Sequence, residues 1–103
     1  MKVVINTCYG GFSLSKKAID LYCEKKGISP GKWDSQFDFY DEFYDRDISR
    51  DDPILVEIVE QLGKDASGSC AKLSIVNIPD DVSWYIHEYD GNEHVAENHR
   101  TWG

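Results

Sequence analysis

Asp90-Gly91 is the feature that most constrains what this chain can fold into. Asp-Gly between two runs of strand-like residues signals a two-residue hairpin with a type I′ turn, whose central residues both take positive φ. Before it, residues 82–89 alternate, with Val82, Trp84 and Ile86 on one face; after it, residues 93–97 return. A loop of that length also fixes the register, setting Ile86 opposite Val95, Tyr85 opposite Ala96 and His87 opposite His94.

The rest of the chain supplies two helices and two further strands. Residues 2–7 (KVVINT) form a β-branched run that reads as a buried strand. A helix follows, with Ser15 as N-cap and Leu14 and Ile19 placed as a hydrophobic staple. Its apolar face is Ala18, Ile19, Tyr22 and Cys23. Lys25 and Lys26 occupy the last turn, Gly27 suits the left-handed C′ position, and Ile28 folds back on Cys23. Asp52-Pro53 starts the second helix, and Ile54, Leu55, Ile58, Val59 and Leu62 make its core stripe up to Gly63. Residues 72–78 (KLSIVNI) read as a strand that stops at Pro79.

The expected order is β-α-(flap)-α-β-β-β. It defines an α+β domain over residues 1–103, with a mostly antiparallel sheet and both helices packed on one face. At 103 residues, one domain with a modest core is the natural size.

Between the helices, residues 33–50 form an acidic-aromatic flap. Trp33, Phe37, Tyr40 and Tyr44 recur at helical spacing and Phe39 and Phe43 make a second stripe, so a short helix and an irregular flap are both open. Residues 34–52 hold eight acids and two bases, a local charge of −6 out of −8 for the whole chain. This charge opposes direct binding to nucleic acid and docking on anionic membrane. No apolar run reaches the roughly 18 residues of a membrane helix, and no signal peptide is apparent. The expectation is a cytoplasmic protein. Cys8, Cys23 and Cys70 lack CxxC spacing and read as reduced thiols.

Four constellations carry chemistry. Tyr9, Gly10, Gly11 and Phe12 lie between a strand and a helix, with Lys16 in the first helical turn. Free N–H groups on a glycine turn attract anions, and the two aromatics offer stacking surfaces. Arg100 and Trp102 in the tail add a cation and a second stacking surface. Together they read as a site for a small anionic ligand. A tight turn with two aromatic core anchors is the plainer alternative. The flap residues Trp33, Phe37, Asp38, Tyr40, Asp41, Glu42 and Tyr44 form a candidate surface for a basic partner protein. His87 and His94 face one another as a minimal metal pair that lacks a third ligand, so no metal is assigned. No nucleophile triad, HExxH, calcium loop or paired carboxylates emerge. No catalytic residue or cofactor is assigned, and binding is favoured over catalysis.

Residues 6–15 (NTCYGGFSLS) and 95–102 (VAENHRTW) resemble small uncharacterised proteins encoded by bacteriophages. The proline-led helix from Pro53, the strand over residues 71–78 and the Asp90-Gly91 hairpin match more loosely. The resemblance implies a phage accessory protein in the host cytosol, of the host-takeover or counter-defence kind, and transfers no site residues. The resulting expectation is a binding module that sequesters a small anionic ligand, such as a nucleotide-type signal. Its alternative is an acidic inhibitor of a host defence protein acting through residues 33–50. The aromatic content is compatible with a homo-oligomer.

Overall fold

Strand β1 (Lys2–Asn6) is the spine of the molecule in the computed structural model, which describes residues 1–37, 39–69 and 71–97. Val3, Val4, Ile5 and Asn6 are all buried, as a β-branched run covered on both faces should be. Along one edge β1 pairs antiparallel with β4 (Leu73–Asn77), from Lys2 opposite Asn77 to Asn6 opposite Leu73. Along the other edge no strand among the described residues pairs with it. The Val4 N–H donates to the Arg50 carbonyl at 2.8 Å, and the Asn6 N–H donates to Glu93 Oε1 at 2.8 Å. A loop and a carboxylate thus stand in for the missing strand, because buried amides must find acceptors.

Helix α1 (Lys16–Lys26) starts at Ser15, whose Oγ accepts the Ala18 N–H at 3.1 Å. It ends at Gly27 with φ of 70°, and the Ile28 N–H reaches back to the Cys23 carbonyl at 3.0 Å. The Ile28 side chain itself is exposed. Helix α2 (Pro53–Leu62) starts at Asp52, whose Oδ1 accepts the Ile54 N–H at 2.8 Å. The apolar stripes predicted for both helices meet in one core with Val4, Leu14 and Ala66. The two helices pack together, and α2 also packs on β1 and β4.

Asp52 also ties the helices to each other. Its Oδ2 accepts the Tyr22 hydroxyl at 2.9 Å and lies 3.4 Å from Lys26 Nζ. Burial, then this hydrogen bond, pushes the Tyr22 hydroxyl up to about 12. Burial alone would raise Asp52. The Ile54 N–H, the Tyr22 hydroxyl and Lys26 override it and hold the carboxyl below the ordinary carboxylate value.

The flap is not helical. It consists of a short ladder, β2 (Trp33–Asp34) with β3 (Phe39–Tyr40), and a 3₁₀ turn at Asp45–Asp47. Its own aspartates explain why. Asp34 Oδ1 accepts the N–H groups of Gln36 and Phe37, and Asp41 Oδ1 accepts that of Lys32. Short acidic side chains that capture nearby amides favour turns over helix.

The hairpin β5 (Trp84–Tyr89) and β6 (Asn92–Glu97) has the predicted register, with His87 opposite His94. Asp90 and Gly91 take φ of 51° and 86°, as a type I′ turn requires. The fold is α+β with the expected order, but among the described residues the strands form three separate two-stranded ladders rather than one sheet. Among the described residues, no helix is long and apolar enough to cross a membrane.

Candidate functional site

The Gly10-Gly11 turn meets the hairpin turn. The Gly10 N–H donates to the Asp90 carbonyl at 3.1 Å. A Cβ on Gly91 would overlap the backbone of Gly10 and Gly11, so the two turns touch main chain to main chain. Asn6 rivets the contact. Its Nδ2 donates to the carbonyls of Cys8 and Gly91 at 2.7 and 2.6 Å, and its Oδ1 accepts the N–H groups of Cys8 and Lys72 at 3.3 and 2.8 Å. All the hydrogen-bonding capacity of the amide is used. The Gly10 amide expected to face a ligand faces the chain itself.

Phe12 lies under the Arg50 guanidinium, 3.6 Å from ring centre to Cζ. Arg50 forms a two-pronged pair with Glu93, Nη1 to Oε1 at 2.6 Å and Nη2 to Oε2 at 2.9 Å. Glu93 is 7% exposed. Tyr9 is exposed on the surface. Of the expected ligand residues, Tyr9, Gly10, Gly11 and Phe12 therefore surround the hairpin junction. Lys16 lies elsewhere, and Arg100 and Trp102 lie outside the described residues.

Lys16 joins the aromatics of the flap instead. A cleft of about 460 Å³ opens between the first turn of α1 and the flap. One wall carries Trp33, Phe37, Phe39, Tyr40 and Phe43; the other carries Ser13, Ser15, Ser67 and Ser69. Trp33 and Tyr40 face each other across β2–β3 and pack edge to face, with ring centres 5.0 Å apart. The Lys16 ammonium lies 5.7 and 5.5 Å from those two ring centres.

Asp20 organises this corner. It accepts Lys16 Nζ at 2.9 Å on Oδ2 and the Tyr40 hydroxyl on Oδ1. That acceptor raises the Tyr40 hydroxyl and the Lys16 ammonium above their ordinary values. Burial works against the charge on Asp20, but Tyr40 and Lys16 hold its carboxyl below the usual range. At the floor, Asp45 Oδ2 accepts the Leu14 N–H at 3.1 Å. Behind it, Phe43 packs edge to face on Tyr22 at 6.0 Å.

The cleft thus unites residues that sequence reasoning assigned to two separate surfaces: Lys16 on one side, and Trp33, Phe37 and Tyr40 on the other. Phe37 and Tyr44 are 68% and 55% exposed, and Asp41 and Glu42 are also exposed. Asp38 lies outside the described residues. His87 and His94 are exposed with ring centres 4.7 Å apart. Among the described residues, no group of three or more His, Cys, Asp or Glu could hold a metal ion.

Sequence reasoning missed Asn6, Arg50 and Glu93 at the junction and Asp20 and Asp45 at the cleft. Glu93 carried a signal, since strand alternation puts it on the same hairpin face as Trp84, Ile86 and Val95. An acid on an apolar face needs a buried partner. No family model, curated protein or solved structure matches the chain.

Proposed function

We propose that this chain is a binding module that holds a small planar anionic ligand of nucleotide type in the Lys16 cleft. One observation carries the reading: an aromatic-walled cleft of about 460 Å³ with a lysine ammonium at the rings of Trp33 and Tyr40. Small-molecule sites are clefts of roughly 300–1,000 Å³ with apolar walls and a few placed polar groups. A ring stacks on the aromatic wall, and a phosphate meets Lys16 at the rim. Ser13 and Asp45 offer hydrogen bonds to ring substituents. The likeness of residues 6–15 and 95–102 to phage-encoded proteins supports a role in host takeover or counter-defence, by sequestration without turnover.

Thermal shift against linear and cyclic nucleotides tests this. Ligand at about 100 times its dissociation constant adds roughly 2.7 kcal/mol. For a domain of this size that raises Tm by about 10–20 °C. Trp33→Ala and Lys16→Ala should each abolish the shift while Gly11→Ala leaves it. No shift across the panel refutes the reading.

A second reading rests on the exposure of Phe37 and Tyr44 among the flap carboxylates. It makes the flap the docking surface for a basic host protein. Complex formation would then weaken steeply with salt and fail in Phe37→Ala.

A further inference from the structure

The hairpin face that carries the two histidines plays no part in the cleft or in the junction. Tyr85, His87 and Tyr89 of β5 share it with Asn92, His94 and Ala96 of β6. The hairpin's acids Glu88, Glu93 and Glu97 alternate onto the opposite face, where Glu93 binds Arg50 and Glu88 accepts the Gly91 N–H at 3.0 Å. His87 and His94 are register partners, both exposed, with ring centres 4.7 Å apart and ring planes tilted by 41°.

From this geometry we infer that His87 and His94 form a two-imidazole chelate for a borderline divalent cation of the zinc, nickel or copper class. The spacing fits. With metal–nitrogen bonds of about 2.0–2.1 Å, two imidazoles on one ion at roughly 90–109° hold their ring centres about 4.5–5.2 Å apart. The donor chemistry selects the cation. Imidazole suits zinc, copper and nickel, while magnesium and calcium need oxygen ligands, and the strand positions of this face supply no carboxylate. Among the strand positions of β5 and β6, no lysine or arginine shares the face to repel a cation, and the chain's net charge of −8 attracts one.

The backbone fixes the two donors in advance. The type I′ turn and the six facing pairs set their register, so little chain entropy is lost on chelation. With two protein donors, the other coordination positions belong to water and remain open to an outside ligand. The inference is independent of the Lys16 cleft and survives if that reading fails.

The test is a titration of the whole chain with nickel(II), copper(II) and zinc(II) salts separately, read by calorimetry and by the histidine ring proton signals in NMR. One ion per chain should bind in the micromolar range, with copper the tightest, and the His87 and His94 ring signals should move together. His87→Ala and His94→Ala should each weaken binding at least tenfold with unchanged circular dichroism, since both side chains are exposed. His99→Ala should bind as the parent does, and magnesium should not compete. The assignment is overturned by no binding, by binding that survives His87→Ala, or by binding lost in His99→Ala.

Discussion

Removing the Glu93 carboxylate should cost this domain a large part of its stability. Glu93 is 7% exposed, and it neutralises an Arg50 side chain that is 17% exposed. Its Oε1 is also the acceptor for the buried Asn6 N–H. In Glu93→Ala, Arg50 keeps its stack on Phe12 but loses its counter-charge, and the Asn6 amide loses its acceptor. Breaking one side of a buried pair costs about 3–5 kcal/mol. At roughly 4–8 °C per kcal/mol for a domain of this size, Tm should fall by about 12–40 °C. Urea unfolding followed by tryptophan fluorescence and far-ultraviolet circular dichroism measures the loss directly. The double variant Arg50→Met/Glu93→Leu should recover the part due to the uncompensated charge but not the part due to the Asn6 amide, which still lacks its acceptor. An exposed ion pair contributes only about 0–1 kcal/mol and is screened by salt. A loss in Glu93→Ala below about 1 kcal/mol, or one that shrinks in high salt, would show that the pair is not sequestered from water.

Three further outcomes follow from the junction and the helix caps. Gly91→Ala, at φ of 86° and against the Gly11 backbone, should destabilise by more than Gly11→Ala, at φ of 96° with no neighbour in the way; the second should cost about 1–3 kcal/mol of backbone strain alone in equilibrium unfolding. Asp52→Ala should cost about 1–2 kcal/mol at neutral pH through the lost cap. Because the folded carboxyl is held low, the charge-linked part of this contribution is complete above its ordinary value of 3.8 and is lost as pH falls below it, so the gap between urea melts of the two proteins should narrow in acid. Tyr22 is raised from 10.0 to about 12, so the parent should lose stability as pH climbs through that interval; Tyr22→Phe should lose about 1 kcal/mol at neutral pH and show a smaller alkaline fall than the parent, the remainder coming from Tyr40 and Lys16.

The features written locally in the chain were the ones that could be read from it. Ser15, Gly27 and Asp52-Pro53 act within a turn of where they stand, so both helix starts and the end of the first helix are visible in a few residues. The hairpin register needs only the loop length and the alternation around it. Long-range partners are not encoded in that way. Nothing near Gly10-Gly11 says that its neighbour is Gly91, and a glycine pair before a helix has the same look whether a phosphate or a hairpin lies against it. The flap shows the opposite failure. The spacing of Trp33, Phe37, Tyr40 and Tyr44 suits a helix, yet Asp34 and Asp41 take the amides a helix would need. Trp33 and Tyr40 meet as cross-strand neighbours instead, and that meeting is what forms the cleft wall.

The pairing of β1 with β4 sets a schedule for biosynthesis. The ladder runs from Lys2 with Asn77 to Asn6 with Leu73, so the two sides of its rungs are separated by about 67–75 residues of the 103. At roughly 5–20 residues per second, a ribosome delivers the second side about 3–15 s after the first. During that wait the apolar residues Val3, Val4 and Ile5 have no strand to join. The first tertiary acceptor to emerge for them is the Arg50 carbonyl, which arrives just ahead of α2. Contacts of such long sequence separation slow folding. β1 is therefore synthesised well before the β4 strand that it pairs with, and its ladder closes only once β4 has emerged.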